Sequence, residues 1–239
     1  MLQRGAVYSI VGLDASVVVL TKNSWNQRML SVGAVPIGPR GDTTWALARP
    51  LEDDPDQVLD PTRLIAVPRA RFGRATAVLA DESVHGLEQS LSELVDAARL
   101  LDEPPRATRP PAGPIDYPRW GEIYHRKGER IAGEAKRYAV VSNDLWNQRN
   151  VTVLVARTTT QPKHPTDEFP VVSGGAAQVV CGELTAVPAN ALDLDRRPPQ
   201  GQVRLGISDM AAVVRGTTYT HLLRDYLDEF HIEVASVEA

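Results

Sequence analysis

Short apolar runs bounded by Gly, Pro, Asn or Asp set the rhythm of this chain. In its second half they are Trp120–His125, Tyr138–Ser142, Val151–Arg157, Glu168–Val172, Gln178–Cys181 and Gln202–Ile207. Each has the length and the boundaries of a β-strand. Twice the period changes to three and four. Over residues 82–101, Val84, Leu87, Leu91, Leu94, Val95, Ala98 and Leu101 fall on one helical face. Over residues 208–230 the clearest stripe is Leu222, Leu223, Tyr226, Leu227 and Phe230, with Ser208 or Asp209 as the predicted N-cap. Gly216-Thr217-Thr218 lies mid-way along that second helix and predicts a bend or break there.

The pattern repeats. Residues 17–28 read VVVLTKNSWNQR and residues 138–149 read YAVVSNDLWNQR, each a β-branched run ending in Trp-Asn-Gln-Arg. Arg4-Gly5-Ala6-Val7-Tyr8 answers Trp120-Gly121-Glu122-Ile123-Tyr124, and Leu64-Ile65-Ala66-Val67-Pro68 answers Leu184-Thr185-Ala186-Val187-Pro188. Tryptophan is rare, so chance does not account for the match, and an internal duplication is predicted. Residues 103–117 are rich in proline and charge, which keeps them out of sheet and helix interiors and makes them a linker. The predicted units are 1–102 and 118–239. Several short strands followed by one helix predict a mainly β, α+β architecture built from small, partly open barrels.

Composition narrows the function. Aromatics are 5% of 239 residues, so the cores rest on Val, Leu, Ala and Ile. The single cysteine, Cys181, forms no internal disulfide and reads as a small buried apolar residue. No apolar run is long enough to span a membrane and no signal peptide is visible, so the expectation is a soluble, cytoplasmic protein without a membrane partner. A net charge of −4 opposes general nucleic-acid binding. The charge is uneven, however: nine basic residues face four acidic ones between Arg119 and Lys163, whereas residues 1–102 carry ten basic and thirteen acidic side chains.

The second unit resembles the MazF/PemK toxins of bacterial toxin–antitoxin systems. Gly121-Glu122-Ile123-Tyr124 is similar to that family's opening strand. Residues 138–144 are similar to its second strand and following turn, residues 152–163 to its third strand and Thr-rich loop, and residues 181–188 to the segment before its last strand and helix. The resemblance implies two tandem SH3-like barrels, each with a C-terminal helix, packed about a pseudo-two-fold axis as an intrachain pseudo-dimer. It also implies cleavage of single-stranded RNA without metal or other cofactor, and an antitoxin protein as a possible partner.

Metal-independent cleavage uses the 2′-hydroxyl as internal nucleophile. It needs a proton acceptor, a proton donor for the departing 5′ oxygen, and donors on the phosphorane oxygens. The resemblance carries the family's Thr onto Thr159, flanked by Thr158 and Thr160. The family's Arg falls on Lys136, with Arg137 where the family has Pro; one deletion in the strand gives Arg137 the role. Strand alternation keeps Lys136 and Arg137 from facing one groove together unless a turn or bulge intervenes. Glu134 is a candidate carboxylate partner, off the spacing seen in relatives. Trp146, Arg149, Arg157, Thr158, Thr160 and Lys163 are candidate RNA contacts. The repeat of Trp146 and Arg149 in the first unit argues equally for a structural turn. His125, inside a predicted strand, reads as a structural histidine. The first unit has Ala15 and Ser16 at the Lys136-Arg137 positions and Gly38 opposite Thr159, so it is a degenerate copy. Two rivals stand beside the endoribonuclease: a non-catalytic barrel module binding protein or nucleic acid, and a toxin acting on a protein target, as CcdB does with the same fold.

Overall fold

The computed structural model describes residues 1–40, 48–51, 54–95, 117–131, 134–159, 178–194, 196–197, 201–202 and 204–221. The chain is mainly β, with antiparallel sheets and few helices. The first sheet holds β1 (Ala6–Ile10), β2 (Ser16–Val19), β3 (Ser31–Pro39), β4 (Arg49–Pro50), β5 (Gln57–Leu59), β6 (Ile65–Pro68) and β7 (Phe72–Val78). Its order is β4-β5-β3-β2-β1-β7, with β6 also beside β3. The second holds β8 (Ile123–Ile131), β9 (Glu134–Val140), β10 (Thr152–Thr159), β11 (Gln178–Pro188) and β12 (Leu192–Leu194), in the order β11-β10-β9-β8-β12. A small ribbon pairs β13 (Arg196–Arg197) with β14 (Gly201–Gln202).

The two sheets repeat one register. Val17, Val18 and Val19 pair with Pro36, Val35 and Ala34, while Tyr138, Ala139 and Val140 pair with Arg157, Ala156 and Val155, the same displacement on both strands. Ile10 pairs with Phe72 as Arg126 pairs with Leu192. One difference is local. Where the first sheet breaks between β5 and β6 at the 3-10 turn Pro61–Arg63, β11 runs through, and its register against β10 slips between Ala156 and Thr158.

The repeated Trp-Asn-Gln-Arg closes two short helices, α1 (Asn23–Arg28) and α3 (Asp144–Arg149). Its asparagine explains the motif. Asn26 Nδ2 donates to the Thr21 carbonyl at 2.9 Å and Asn147 Nδ2 to the Ser142 carbonyl at 2.9 Å. The Thr21 hydroxyl donates to Asn26 Oδ1 at 2.6 Å and the Ser142 hydroxyl to Asn147 Oδ1 at 2.5 Å. Each hydroxyl oxygen then accepts from a strand N–H, that of Gly33 or Leu154. The indoles follow suit: Trp25 Nε1 donates to the Ser31 carbonyl and Trp146 Nε1 to the Thr152 carbonyl. The asparagine–hydroxyl and asparagine–carbonyl bonds of both networks are buried.

One hydrophobic cluster runs through both sheets, taking in Val18, Leu20, Val35 and Leu64 from the first and Ala139, Val141, Leu154 and Leu184 from the second. Two helices complete it, α2 (Asp81–Leu94) through Leu87, Leu91 and Leu94, and α4 (Ile207–His221) through Met210, Val213 and Val214. Each helix docks its C-terminal end on the other sheet's motif. The Asn143 N–H donates to the Leu94 carbonyl at 3.1 Å, and the Lys22 N–H to the Thr220 carbonyl at 2.9 Å. The first of these bonds satisfies a carbonyl that the end of α2 leaves without an internal partner. Close approach needs glycine: a Cβ on Gly182 would lie 2.3 Å from the Trp25 ring, and one on Gly33 would lie 3.1 Å from His221 Nε2.

Several predicted boundaries move. The run Trp120–His125 becomes a strand from Ile123 to Ile131, with Glu122 bridging to Arg204. Tyr138–Ser142 pairs from Glu134, and Gln178–Cys181 extends to Pro188. Of the run Gln202–Ile207, Gln202 pairs in the β13–β14 ribbon, Arg204 bridges to Glu122, and Ile207 already opens α4. Neither Ser208 nor Asp209 is the N-cap; the Asp209 carboxylate instead accepts from the Gly206 N–H at 3.3 Å. Gly216-Thr217-Thr218 does not break α4, which stays helical through His221 with all three residues buried. Glu168–Val172, most of the linker, residues 96–101 and the stripe from Leu222 onward lie outside the described residues.

Candidate functional site

Strands β9 and β10 are neighbours, so the segments carrying Lys136-Arg137 and Thr158-Thr159 lie side by side. The Thr158 hydroxyl donates to the Arg137 carbonyl at 3.2 Å. β9 is unbroken from Glu134 to Val140, and the irregularity lies on β8, between His125 and Arg130, where Gly128 takes φ 76°. No bulge in β9 therefore turns Lys136 and Arg137 to one side. Arg137 shares the face of Ala139 and the common core, together with Thr158; Lys136 shares the face of Tyr138, Arg157 and Thr159. Lys136, Arg137, Thr158 and Thr159 are all half-buried.

Arg157 is engaged within the protein. Its guanidinium grips Glu183 of β11 through two parallel bonds, Nε to Oε2 and Nη2 to Oε1, the latter at 3.1 Å. Such a fork against a carboxylate fixes both side chains. Sequence spacing does not announce Glu183: 26 positions separate the partners, and only the β10–β11 register brings them together.

The remaining candidates are spread. Trp146 is half-buried, its Nε1 committed to Thr152, while Arg149 at the end of α3 is exposed. Glu134 lies on β9 opposite Ile131; its side chain, and all of Thr160 and Lys163, lie outside the described residues. His125 sits between Arg137 of β9 and Asp193 of β12. Cys181 is buried in the common core, its Sγ 3.5 Å from the Val213 carbonyl. Among the described residues no group of three or more His, Cys, Asp or Glu is arranged to hold a metal ion, and no helix is long and apolar enough to cross a membrane.

A buried acid lies at the other end of β9, where the Val140 N–H donates to the Glu122 carbonyl at 3.0 Å. The Glu122 carboxylate accepts from the Tyr124 hydroxyl at 2.5 Å and from the Arg119 N–H at 2.9 Å. Burial, then the hydrogen bond to Glu122 and its negative charge, push the Tyr124 phenol above its ordinary value. Tyr124 therefore stays protonated and serves as a fixed donor. In the first sheet the corresponding places differ. Ser16 stands opposite Ser9, and Gly38 has the Arg63 guanidinium 3.2 Å from where a Cβ would be.

No family model matches the chain, and no curated protein does. Among solved structures, an endoribonuclease in complex with its cognate antitoxin from a mycobacterial species is similar over 43% of this chain and 93% of its own, at 15% identity and a TM-score of 0.35. A second mycobacterial endoribonuclease is similar over 45% of this chain and 93% of its own, at 17% identity and a TM-score of 0.37.

Proposed function

We propose that the chain is an endoribonuclease that cleaves single-stranded RNA, with one active site per chain on the β9–β10 face of the second sheet. The observation that carries this reading is the pairing of β9 with β10. Beyond the Arg157–Tyr138 pair the same register, carried on, brings Thr159 beside Lys136. A hydroxyl donor and an ammonium group on one face are what the phosphorane oxygens require. In the reaction, the 2′ oxygen attacks phosphorus and the bond to the 5′ oxygen breaks, leaving a 2′,3′-cyclic phosphate and a 5′-hydroxyl. The proton lost by the 2′-hydroxyl passes to a base, and the 5′ oxygen gains one from an acid. Thr159 and Lys136 hold the non-bridging oxygens; Arg137, midway along β9 and on its other face, is the alternative cation of the proposed site. Glu134 is the proposed carboxylate base.

The same reading takes residues 1–102 and 118–239 as two SH3-like barrels about a pseudo-two-fold axis, joined by the 103–117 linker. The reciprocal docking of α2 and α4 and the repeated register support it. An antitoxin-like protein is the proposed regulatory partner. Incubating the purified chain with mixed single-stranded RNA in EDTA tests the activity. Fragments ending in cyclic phosphate are expected from wild type, with a loss on the order of 10²–10³ in rate for Thr159→Ala. Equal rates in the two would remove Thr159 from the mechanism.

A second reading is a non-catalytic binding module. It is favoured by one observation, the commitment of Arg157 to Glu183, which takes a cation from the proposed groove. RNA binding without cleavage by wild type is its signature.

A further inference from the structure

β7 ends the first sheet. It pairs with β1 on one side, and Arg74 through Val78 are exposed, Val78 to 65%. An edge of this kind presents backbone N–H and C=O groups ready to pair with another strand. The charge around it is unusual for an acidic chain: residues 61–80 contain Arg63, Arg69, Arg71 and Arg74 and no acidic residue. The matching stretch of the second unit, residues 181–200, carries three acidic residues, Glu183, Asp193 and Asp195, against two basic ones, Arg196 and Arg197, and Asp193 lies 3.4 Å from Lys127.

The arginines are not equivalent. Arg69 is used internally, donating to the Gln27 carbonyl at 2.8 Å. Arg71 and Arg74 are exposed and have no ion pair among the described residues. Arg71 lies beside the β1–β2 hairpin, its Nη1 3.7 Å from where a Gly12 Cβ would be. That hairpin shows Val11 and Leu13 to solvent, 54% and 62% exposed, with Asp14 next to them. Beyond Arg74 the edge offers only Ala75, Thr76, Ala77 and Val78, small enough for another backbone to approach.

We propose that β7 is a docking edge for an extended, acidic peptide segment of a partner protein, which adds as a further strand while its carboxylates meet Arg71 and Arg74. Strand addition of this type takes its affinity from main-chain hydrogen bonds and its selectivity from alternate side chains. A second copy of the chain is a poor occupant, since edge-to-edge pairing would bring the arginines of two copies together. Single-stranded RNA is the weaker fit, because the aromatic ring beside these arginines, Phe72, is half-buried and edge-on to Tyr8 at 5.6 Å rather than open for stacking.

The test uses the full chain and a fluorescein-labelled peptide of about twelve residues alternating Val and Glu, long enough to cover the edge. Binding is followed by anisotropy and amide hydrogen exchange is mapped with and without peptide. Slower exchange within residues 74–78 is expected, with affinity reduced about tenfold or more in Arg71→Glu/Arg74→Glu. Lys127→Glu/Arg215→Glu, an equal charge change at exposed positions elsewhere, should leave affinity near wild type. Equal losses in the two double variants, no peptide binding, or bound peptide without protection at 74–78 would overturn the proposal. Protection of the same amides by oligouridylate and not by the peptide would overturn it too.

Discussion

The backbone N–H of Ala186 donates to the carbonyl of Leu64 at 2.7 Å, a hydrogen bond that crosses from the second sheet to the first. Leu64 is buried beside Leu184 in the cluster common to both sheets, so the polar link is embedded in apolar packing. Unfolding one sheet would uncover this face of the other. Urea denaturation monitored by tryptophan fluorescence and by far-UV circular dichroism should therefore give one coincident transition; two separated transitions would contradict a common core.

The asparagines of the repeated motif make a paired prediction. Asn26→Ala and Asn147→Ala each leave a buried carbonyl and a buried hydroxyl without their partner. Each should lower unfolding free energy by about 1–3 kcal/mol. Denaturant midpoints measure this, and Gln27→Ala, one position on in the chain and exposed, is the control.

His221 should make stability depend on pH. Complete burial, opposed in part by the bond between Nδ1 and the Thr217 carbonyl and helped by the charge of Arg4, lowers it from 6.5 to about 4. Between those values the unfolded chain binds the proton and the folded chain does not. The stabilisation is therefore fully present above about pH 6.5 and is lost as pH falls toward 4, on the order of 3 kcal/mol across the window. Comparing wild type with His221→Leu at pH 7 and pH 5 isolates it: the stability of wild type relative to the variant should fall in acid. A constant difference would remove His221 as the cause.

Gly182→Ala should be severe. Its Cβ would sit 2.3 Å from the fully buried Trp25 ring and 2.8 Å from Thr220. Neither neighbour has room to retreat, and a cost of about 3 kcal/mol or more is expected. Gly128→Ala meets nothing within 4 Å, so its cost is limited to the strain of φ 76°, about 1 kcal/mol. Thermal melts of the two variants should separate them widely.

Releasing Arg157 should change RNA affinity. Glu183→Gln keeps the shape of the side chain and removes its charge, leaving the guanidinium free to meet a phosphate. Binding of single-stranded RNA to this variant in a Thr159→Ala background should strengthen at low salt and depend more steeply on salt than binding to Thr159→Ala alone. Unchanged affinity and slope would place Arg157 outside the RNA path.

Local signals were readable where one residue type has one physical use. The Trp-Asn-Gln-Arg repeat marked equivalent turns because only a side-chain amide at that place both donates to a carbonyl and accepts from a hydroxyl. Cys181 was legible as a core residue from its type alone. Long-range facts were not. Nothing near Arg157 in the chain announces Glu183, and the slip between Ala156 and Thr158 that carries β11 past Ala156 depends on tertiary packing. Gly216-Thr217-Thr218 looked like a helix breaker because intrinsic propensity disfavours it. In the folded chain the small residues let α4 lie close against β11 near Gly182, and the Thr220 hydroxyl donates to the Gly216 carbonyl at 2.6 Å. Tertiary contact overrode propensity there.

The reciprocal docking of α2 and α4 has a consequence for how this protein can change. In an assembly of two identical chains every substitution at the contact appears twice, and a large side chain must fit against its own copy. Here each position occurs once. Trp25 is sealed against Gly182 while Trp146, at the matching place, stays half-buried. Covalent linkage thus frees one sheet to shed polar groups and gather arginines without dictating the same to the other, and it locks the ratio of the two surfaces at one to one whatever the concentration.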